Sequence, residues 1–589
     1  MALDQAKPLT ADEHAAADTA TRAPLIAHLL TLAAASVLIV LLNLHSWFWG
    51  DEWDLISRSL HPSARLLFEP HNGHWSTIPL LLWMPLISIV GLHSYWPYLL
   101  PLILAHLALA HVIWRVMIRS GQNPWLTTGF VAAFAVLGVG ATNINSAMQV
   151  SFVGSALFGY LAMQVADRSE LSRRQYALCW LYLIIAVMSS SIGVVMTVAA
   201  SVVAVLRRGW RAGALTAAVP LVVFGVWYAL IGHTGGGLNS PKHGFVDRVP
   251  AFVARGLLNA FARPLNLPSY VWGAVPLVAV VLYLVVRATR RGMSDAAIAY
   301  AGMVGNLVLF IVVASARGQL PQLAFAERYA YESVALSLPA AALATSALLR
   351  RLRQPLAVSV ALGATLCAAL VAQEVSLLVN STNRHVQIDQ YSRRRTLAAA
   401  VVARQDPWLT GQRPLPEYPN LSMNVLRTLD ARGALPSLAG VKPVDILHIR
   451  SVVEVTPTAA PIQPHVLAPV IGSLGVDIVA GHPGCVDVTP ASPTPQLIIE
   501  TPPTEADIAV QTSVPGRTVL TLRAAPINID PPPGGTRAHA SAPMVEAPPR
   551  TVKIQPGQLV TWRIQVPKTT VVLRLPTGGL SRVCGVIVR

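Results

Sequence analysis

The stretch PLIAHLLTLAAASVLIVLLNLHSWFWGDEWDLISR, residues 24–58, decides the fold. Residues 24–44 form an apolar run, and about 20 such residues are enough for a helix to cross the hydrocarbon core of a bilayer. Three tryptophans and three carboxylates follow directly. Indole rings favour the membrane–water interface, whereas carboxylates are costly inside hydrocarbon. The stretch therefore predicts a membrane span that ends at the interface and continues into a polar loop.

The composition of the whole chain indicates a polytopic α-helical membrane protein. Of its 589 residues, 53% are hydrophobic and 12% are charged, and the mean hydropathy is +0.52. Soluble domains carry about 25% charged residues. The formal net charge of +16 comes largely from arginines in short clusters between apolar runs. This pattern follows the positive-inside rule rather than that of a nucleic-acid-binding face, so no nucleic-acid partner is expected.

About eleven apolar runs predict about eleven transmembrane helices. They cover residues 24–44, 96–114, 125–141, 147–165, 176–191, 192–206, 213–232, 270–286, 296–315, 333–349 and 356–379. Arginine clusters lie at every second loop, which predicts a cytoplasmic N-terminus in a multi-pass protein of the inner or plasma membrane. Two short runs meet at MSSSIG, residues 188–193, which predicts a helix break satisfied by serine hydroxyls rather than a nucleophile.

The orientation divides the chain into four predicted parts. They are a cytoplasmic tail (1–23), a transmembrane domain (24–379) with outer loops 45–95, 233–269 and 316–332, an extracytoplasmic helical connector (380–439) and an extracytoplasmic β-rich domain (440–589). Residues 77–92 are apolar but short and contain two prolines, so they predict an interfacial or re-entrant helix. Residues 245–262 predict an amphipathic interfacial helix.

The C-terminal part has the pattern of a β-sandwich. Short alternating runs such as VVEVT (452–456), QLIIET (496–501) and LVTWRIQV (559–566) are bounded by Pro and Gly. Cys485 and Cys584 lie in this part, and outside the cell they could form a disulfide; two free thiols are the alternative.

The acidic cluster GDEWDL, residues 50–55, is the strongest signal for a functional site. Asp51, Glu52 and Asp54 lie beside an apolar wall, where desolvation and like-charge repulsion raise at least one carboxyl pKa and so favour a general base. The cluster also suits a divalent cation, the one cofactor left open. A third interpretation is a helix start with Asp51 or Asp54 as the N-cap.

The same outer loop contains EPHNGHWS, residues 69–76. His71 and His74 can donate hydrogen bonds to phosphate or hydroxyl groups, although two histidines without a third ligand do not define a metal site. The alternative is an ordinary polar loop at the interface.

A basic candidate lies in ERYAYE, residues 327–332. Arg328 begins a predicted span from the outer side, where its guanidinium could hold a phosphate in bidentate fashion, with Arg317 assisting. The alternative is an ion pair of Arg328 with Glu327 or Glu332.

The order of these features resembles the GT-C superfamily of integral-membrane glycosyltransferases. A first span is followed by the acidic pair, a Pro-containing outer helix and a second span that ends in HVIWRVMIR, residues 111–119. The superfamily includes protein O-mannosyltransferases, lipid A aminoarabinose transferases and actinobacterial arabinofuranosyltransferases, and an outer C-terminal β-domain is similar to the last. The resemblance implies that Asp51 and Glu52 are the catalytic carboxylates, with Asp51 the base, and that Arg328 contacts donor phosphate.

The resemblance implies an inverting glycosyltransferase. It would move a sugar from a polyprenyl-phosphate donor in the bilayer to a glycan or lipid-linked acceptor of the cell envelope. Residues expected to bind the donor phosphate or sugar are Arg328, Arg317, His71, His74 and Asp54. The chain has no phosphate-binding glycine loop between strand and helix, which agrees with a donor that is not a nucleotide. The alternatives are a flippase of lipid-linked sugars and a non-catalytic envelope scaffold.

Overall fold

The computed structural model describes residues 11–234, 245–317, 320–351, 355–407, 409–453, 455–458, 467–482, 484–501, 506–524, 545–547, 549–564 and 569–588. The start of the predicted tail (1–10) and parts of two predicted outer loops (235–244 and 318–319) lie outside these residues. The chain divides into two compact units, which are described separately. The helical unit comprises Met1–Trp47, Asp54–Val90 and Ser94–Gln390, and the β unit comprises Phe48–Trp53, Gly91–His93 and Tyr391–Arg589.

Eighteen α-helices occur in the described residues. They are α1 (Ala11–Leu42), α2 (Glu52–Leu60), α3 (Ala64–Phe68), α4 (Thr77–Ile89), α5 (Trp96–Arg119), α6 (Pro124–Ala135), α7 (Thr142–Asn145), α8 (Val150–Ala166), α9 (Arg173–Ser189), α10 (Ile192–Arg208), α11 (Trp210–Leu230), α12 (Phe245–Ala262), α13 (Ala274–Arg291), α14 (Ala297–Arg317), α15 (Glu327–Arg351), α16 (Leu356–Gln405), α17 (Met423–Ala431) and α18 (Pro443–Val453). Short 3-10 helices connect several of them.

The helical unit confirms a polytopic membrane protein. Eight helices of the described residues are long and apolar enough to cross a bilayer: Arg22–Leu42, Trp96–Arg119, Ala147–Ala166, Trp210–Leu230, Tyr270–Arg291, Ser294–Arg317, Glu327–Arg351 and Ala357–Gln405. The number eleven is not confirmed, because α6 has 12 residues and α9 and α10 have 17 each. Helix α4 has 13 residues, or about 20 Å, which is too short to span and agrees with an interfacial or re-entrant segment.

The last apolar run continues beyond its predicted end at residue 379. Helix α16 has 50 residues, a length of about 75 Å and more than twice the thickness of a hydrocarbon core. It contains no proline and a single glycine, Gly363, so nothing local stops it. The predicted connector at 380–439 therefore begins within a continuous helix. The described part of the predicted N-terminal tail, residues 11–23, likewise belongs to α1.

The predicted helix break at MSSSIG lies between α9 and α10. Ser190 leaves the helical conformation, and its hydroxyl accepts a hydrogen bond from the Ile192 amide at 3.2 Å and contacts Ser155 Oγ at 2.9 Å. Gly193 allows the two helices to approach closely, because a Cβ there would lie 2.3 Å from the Ala186 carbonyl carbon. The serine hydroxyls thus satisfy the break, as expected.

The β unit contains thirteen described strands in two sheets. They are β1 (Val455–Thr458), β2 (Ala468–Leu474), β3 (Val476–His482), β4 (Cys485–Pro490), β5 (Gln496–Glu500), β6 (Ala506–Thr512), β7 (Gly516–Ala524), β8 (Val545–Glu546), β9 (Arg550–Ile554), β10 (Leu559–Ile564), β11 (Thr570–Arg574), β12 (Ser581–Cys584) and β13 (Val586–Val588). One sheet has the order β1-β10-β6-β12-β4-β3 and the other β13-β2-β5-β11-β7-β8, with β9 also paired to β7. All pairs are antiparallel except β13–β2.

The β unit buries a core of alternating aliphatic side chains around Trp562, as the strand patterns predicted. The run VVEVT is an exception, because Val452 and Val453 end α18 and β1 begins only at Val455. A disulfide joins Cys485 and Cys584, which lie opposite each other on β4 and β12. The other two cysteines, Cys179 and Cys367, are free thiols.

Candidate functional site

The sequence His71-Asn72-Gly73-His74 forms a tight turn in the first loop of the helical unit. His71 and His74 exchange both backbone hydrogen bonds, at 2.9 and 2.8 Å, and form an isolated β-bridge. Asn72 and Gly73 have φ values of 48° and 82°. Positive φ at both central residues is typical of the type I′ turn that Asn-Gly favours. The predicted polar loop is therefore an ordered turn that sets the spacing of the two imidazoles.

Asp54 and His71 form the centre of the candidate site. Asp54 Oδ2 lies 2.6 Å from His71 Nδ1 and 3.2 Å from Arg58 Nη1. Burial alone would raise the pKa of Asp54, but the hydrogen bond and charge of His71 and the charge of Arg58 outweigh it and hold this pKa below its usual value. Asp54 is thus an ionised anchor rather than a strong base, and it is not the N-cap of α2.

Arg58 holds the loop that follows α2. It lies one helical turn after Asp54, is 7% exposed, and donates to the backbone carbonyls of Leu66 and, at 2.8 Å, Glu69. Because these carbonyls lie just before the His71–His74 turn, one guanidinium connects the helix, the loop and the turn. The sequence analysis did not identify Arg58, although its i+4 spacing from Asp54 was a usable signal.

The turn contacts the ends of other helices in the unit. Ser191, at the start of α10, donates its amide to His74 Nδ1 at 3.3 Å and its hydroxyl to the Gly73 carbonyl at 3.2 Å. Arg317, the last residue of α14, donates to the Asn72 carbonyl at 3.0 Å. The structure therefore brings His74 and Arg317 to the Asp54–His71 pair through the turn. Ser191 was also missed as a partner of this loop.

Two stacked indoles brace the same loop. Trp75 and Trp227 lie with ring centroids 4.8 Å apart and an interplanar angle of 5°, and Trp227 Nε1 donates to the Phe68 carbonyl at 2.8 Å. Trp227 is in the last turn of α11. The loop is thus fastened to the start of α10 and to the ends of α11 and α14.

Asp51 and Glu52 belong to the β unit. Asp51 is exposed and directly precedes α2, so it occupies the N-cap position of that helix. Glu52 is 1% exposed, and its Oε2 accepts a hydrogen bond from the Trp49 amide at 3.2 Å. The two carboxylates therefore differ: Glu52 is buried and holds the Trp49 amide of the segment before α2, whereas Asp51 is exposed.

Arg328 does not form either of the predicted ion pairs. Glu327 instead accepts hydrogen bonds from the Thr142 amide and hydroxyl, at 3.2 and 2.8 Å. Glu332 is buried, with no hydrogen-bond partner for either carboxyl oxygen in the described residues. Arg328 lies over the Tyr329 ring at 5.5 Å, and within the described ranges no contact joins it to the Asp54–His71 pair. Its guanidinium keeps its hydrogen-bonding capacity.

The described residues contain no group of three His, Cys, Asp or Glu side chains that could hold a metal ion. His71 Nδ1 is engaged by Asp54, and His74 Nδ1 is engaged by Ser191. The described residues therefore add no ligand set for the divalent cation that the sequence left open.

Comparisons with known proteins include a distant likeness to a solved structure. No family model matches the chain, and no curated protein sequence matches it. Among solved structures, the chain is similar to the crystal structure of ArnT from Cupriavidus metallidurans bound to undecaprenyl phosphate. The identity is 14% and the TM-score is 0.41, over 69% of this chain and 88% of that chain. At these values, the likeness is too distant to assign the chain to a family.

Proposed function

We propose that the protein is a membrane glycosyltransferase that uses a polyprenyl-phosphate sugar donor. The sugar passes to a glycan or lipid-linked acceptor of the cell envelope, on the outer side of the inner or plasma membrane. The observation that carries this proposal is the ordered first loop, in which Asp54, Arg58, His71, His74 and Arg317 are held together where several apolar helices begin or end. Such a polar, cation-rich arrangement at helix ends suits the phosphate and sugar of a lipid-anchored donor.

The arginines of the helices support the outer placement of this loop. Helix α10 begins at the loop, where Ser191 contacts the His71–His74 turn, and its last turn carries Arg207 and Arg208. Positive residues at the far end of this helix favour the cytoplasm. The loop, and with it Asp51, would then face away from the cytoplasm, and the N-terminus would be cytoplasmic.

We assign the general base to Asp51. This choice follows the resemblance, which implies that the first carboxylate of the pair is the base; Asp51 is exposed, whereas Glu52 is buried and its Oε2 accepts a hydrogen bond from the Trp49 amide. Asp51 takes the proton of the acceptor hydroxyl while that oxygen attacks the anomeric carbon. The bond from this carbon to the phosphate oxygen breaks, and the polyprenyl phosphate leaves with the electron pair, which inverts the anomeric configuration.

Cationic groups stabilise the leaving phosphate in this proposal. Arg328 donates to it, and Arg317, His71 and His74 bind the donor phosphate or sugar as the negative charge grows. Asp54 keeps His71 oriented. No nucleotide takes part, since the leaving group is the lipid phosphate itself.

The decisive experiment measures sugar transfer from a lipid-linked donor by the Asp51→Asn variant in reconstituted membranes. Loss of a general base predicts a fall in rate of about 10²–10⁴-fold. Asp295→Asn is the matched control, because Asp295 is an exposed aspartate before α14, far along the chain from the first loop. Wild-type transfer by Asp51→Asn, with normal expression, would remove Asp51 as the base.

Sidedness can be tested independently of activity. Single cysteines placed at 51 and 295, in a variant without free cysteines, are treated with a membrane-impermeant maleimide in intact cells. Position 51 should react and position 295 should not. The reverse pattern would contradict the proposed orientation.

One observation favours a flippase as a second candidate. Glu332 is a buried carboxyl near the start of the candidate span Glu327–Arg351, and ionisable groups inside membrane spans often mark transport pathways. A flippase would lose transbilayer movement of lipid-linked sugar in a Glu332→Gln variant and would show no transfer product in any variant. No observation favours the scaffold alternative.

A further inference from the structure

A cavity of about 290 Å³ lies inside the helical unit, between α6, α12, α13, α15 and α16. Its wall is almost entirely hydrocarbon, with side chains such as Phe130, Phe134, Phe261, Val280 and Leu370. The volume is just below the range of about 300–1,000 Å³ for small-molecule sites. By size and lining, the cavity suits a single hydrocarbon chain.

Glu374 of α16 is the one ionisable side chain that lines this cavity. It is 1% exposed, and its Oε2 accepts a hydrogen bond from the Val139 amide at 2.9 Å. The Gly138 amide also stabilises the carboxyl group, but Oε1 has no hydrogen-bond partner in the described residues. A buried carboxyl oxygen without a donor is costly. A donor on a bound molecule would remove that cost.

Ser337, another polar residue of the lining, already has a hydrogen-bond acceptor within the protein. The Ser337 hydroxyl donates to the Ser333 carbonyl of its own helix at 2.7 Å. The backbone beside Glu374 is also tightly positioned, since a Cβ at Gly138 would lie 2.3 Å from the Glu374 carbonyl oxygen. The close contact between Gly138 and α16 therefore fixes the backbone of Glu374, and with it the position of the side chain at the cavity wall.

We propose that this cavity binds an amphiphile with one hydrocarbon chain and a hydrogen-bond-donating end group, a long-chain alcohol or amine, which donates to Glu374 Oε1. The buried carboxyl oxygen needs a hydrogen-bond donor, which a phosphate or carboxylate end group does not supply as readily as a hydroxyl or amine. The site is thus chemically distinct from one that holds a polyprenyl phosphate. The proposal does not rest on sugar transfer.

The test uses the full-length protein in nanodiscs and four dodecyl probes that carry a photoreactive diazirine. The probes end in hydroxyl, amine, carboxylate or methyl groups, and labelled peptides are mapped by mass spectrometry. The hydroxyl or amine probe should label α15 and α16 peptides of the cavity at least fivefold more than the carboxylate and methyl probes. The stronger of the two donors then identifies an alcohol or an amine site.

Two variants and a control separate the end-group contact from general lipid binding. Glu374→Leu should reduce labelling by the preferred probe at least fivefold, and Ala341→Phe, which fills the cavity, should do the same with Glu374 intact. Ser337→Ala should leave labelling unchanged. Equal labelling by the carboxylate or methyl probe, or unchanged labelling of a folded Glu374→Leu protein, would overturn the proposal. If Glu374→Leu does not fold, the relative labelling of the wild-type protein by the four probes supports or contradicts the proposal.

Discussion

Aspartate and arginine are paired in both units, but the burial of the two partners is reversed. In the helical unit, the Arg58 side chain is 7% exposed and its partner Asp54 is 19% exposed. In the β unit, Asp507 is 6% exposed, and its partner Arg563 is 30% exposed. Removing the carboxylate leaves a buried guanidinium without a counter-charge, which destabilises the fold. A partly exposed guanidinium is instead solvated by water when its ion pair is broken.

The backbone around these pairs explains the difference. Arg563 and Asp507, like Arg582 and Asp487, lie directly opposite each other on adjacent strands, whose register is already set by ladder hydrogen bonds. The loop after α2 has no such ladder, so the side chain of Arg58 holds the loop carbonyls instead. The same pair of residue types therefore assembles a loop in one unit and adds to an existing sheet in the other.

The largest expected effect concerns the covalent link of the β unit. Replacing Cys485 and Cys584 by serine should lower the free energy of unfolding of this unit by about 2–5 kcal/mol, because the bond closes a long loop in the unfolded chain. Pulse proteolysis of the full-length protein in urea, with fragments assigned to each unit, measures this change. Equal destabilisation of the helical unit, or none in the β unit, would contradict it.

The next largest effect concerns the Asp54–Arg58 pair of the helical unit. Asp54→Asn leaves the buried Arg58 without its carboxylate and should destabilise the helical unit by about 1.5–3 kcal/mol, the usual range for a hydrogen bond to a charged group. His71→Ala removes the other partner of Asp54, so the double variant should cost less than the sum of the two single variants. Thermal unfolding in detergent checks both statements, and strict additivity would show that the pair is not coupled.

The contribution of Asp54 should depend on pH. Its pKa in the folded protein lies below the usual value of 3.8, so its stabilising effect is complete above about pH 4 and is lost as the pH falls through the lowered pKa. The difference in unfolding midpoint between the wild type and Asp54→Asn should therefore be larger at pH 5 than at pH 3. A difference that widens in acid would reverse the assigned sign.

The smallest effects are expected on the sheet. Arg563→Gln should cost about 0.5–1 kcal/mol, the usual size of a cross-strand ion pair, and Arg582→Gln should leave the unfolding midpoint unchanged, since its side chain is 46% exposed. Parallel urea titrations of the two variants measure this order. An Arg582→Gln effect as large as that of Asp54→Asn would remove the distinction between the units.

Much of the fold could be predicted because its signals are local. The length of the apolar runs predicted the long spanning helices, and the serines of MSSSIG predicted the break before α10. The alternation of apolar and polar residues predicted most strands of the sandwich. The predicted boundaries were wrong where no proline or glycine in the sequence marks the end of a helix. Helix α16 continues to Gln405 because no proline interrupts it, and α18 takes two residues of a predicted strand.

The candidate site was predictable by residue type but not by arrangement. His71, His74 and Arg317 were identified as polar groups of outer loops, yet the Asn-Gly turn that spaces the imidazoles was not recognised. The partners Arg58 and Ser191 were missed, because a contact over more than a hundred residues, such as that of Ser191 with His74, leaves no periodic trace in a sequence.

By itself, the sequence determined that this is a polytopic helical membrane protein with a C-terminal β domain. Hydrophobic length and side-chain alternation act within one segment, and each segment must satisfy its own backbone in lipid or in a sheet. Only the tertiary structure decided that Asp54 is an ionised anchor rather than a base, and that Arg328 is not neutralised by Glu327 or Glu332. The properties of a charged group depend on partners that folding brings close, and these partners are distant in the chain.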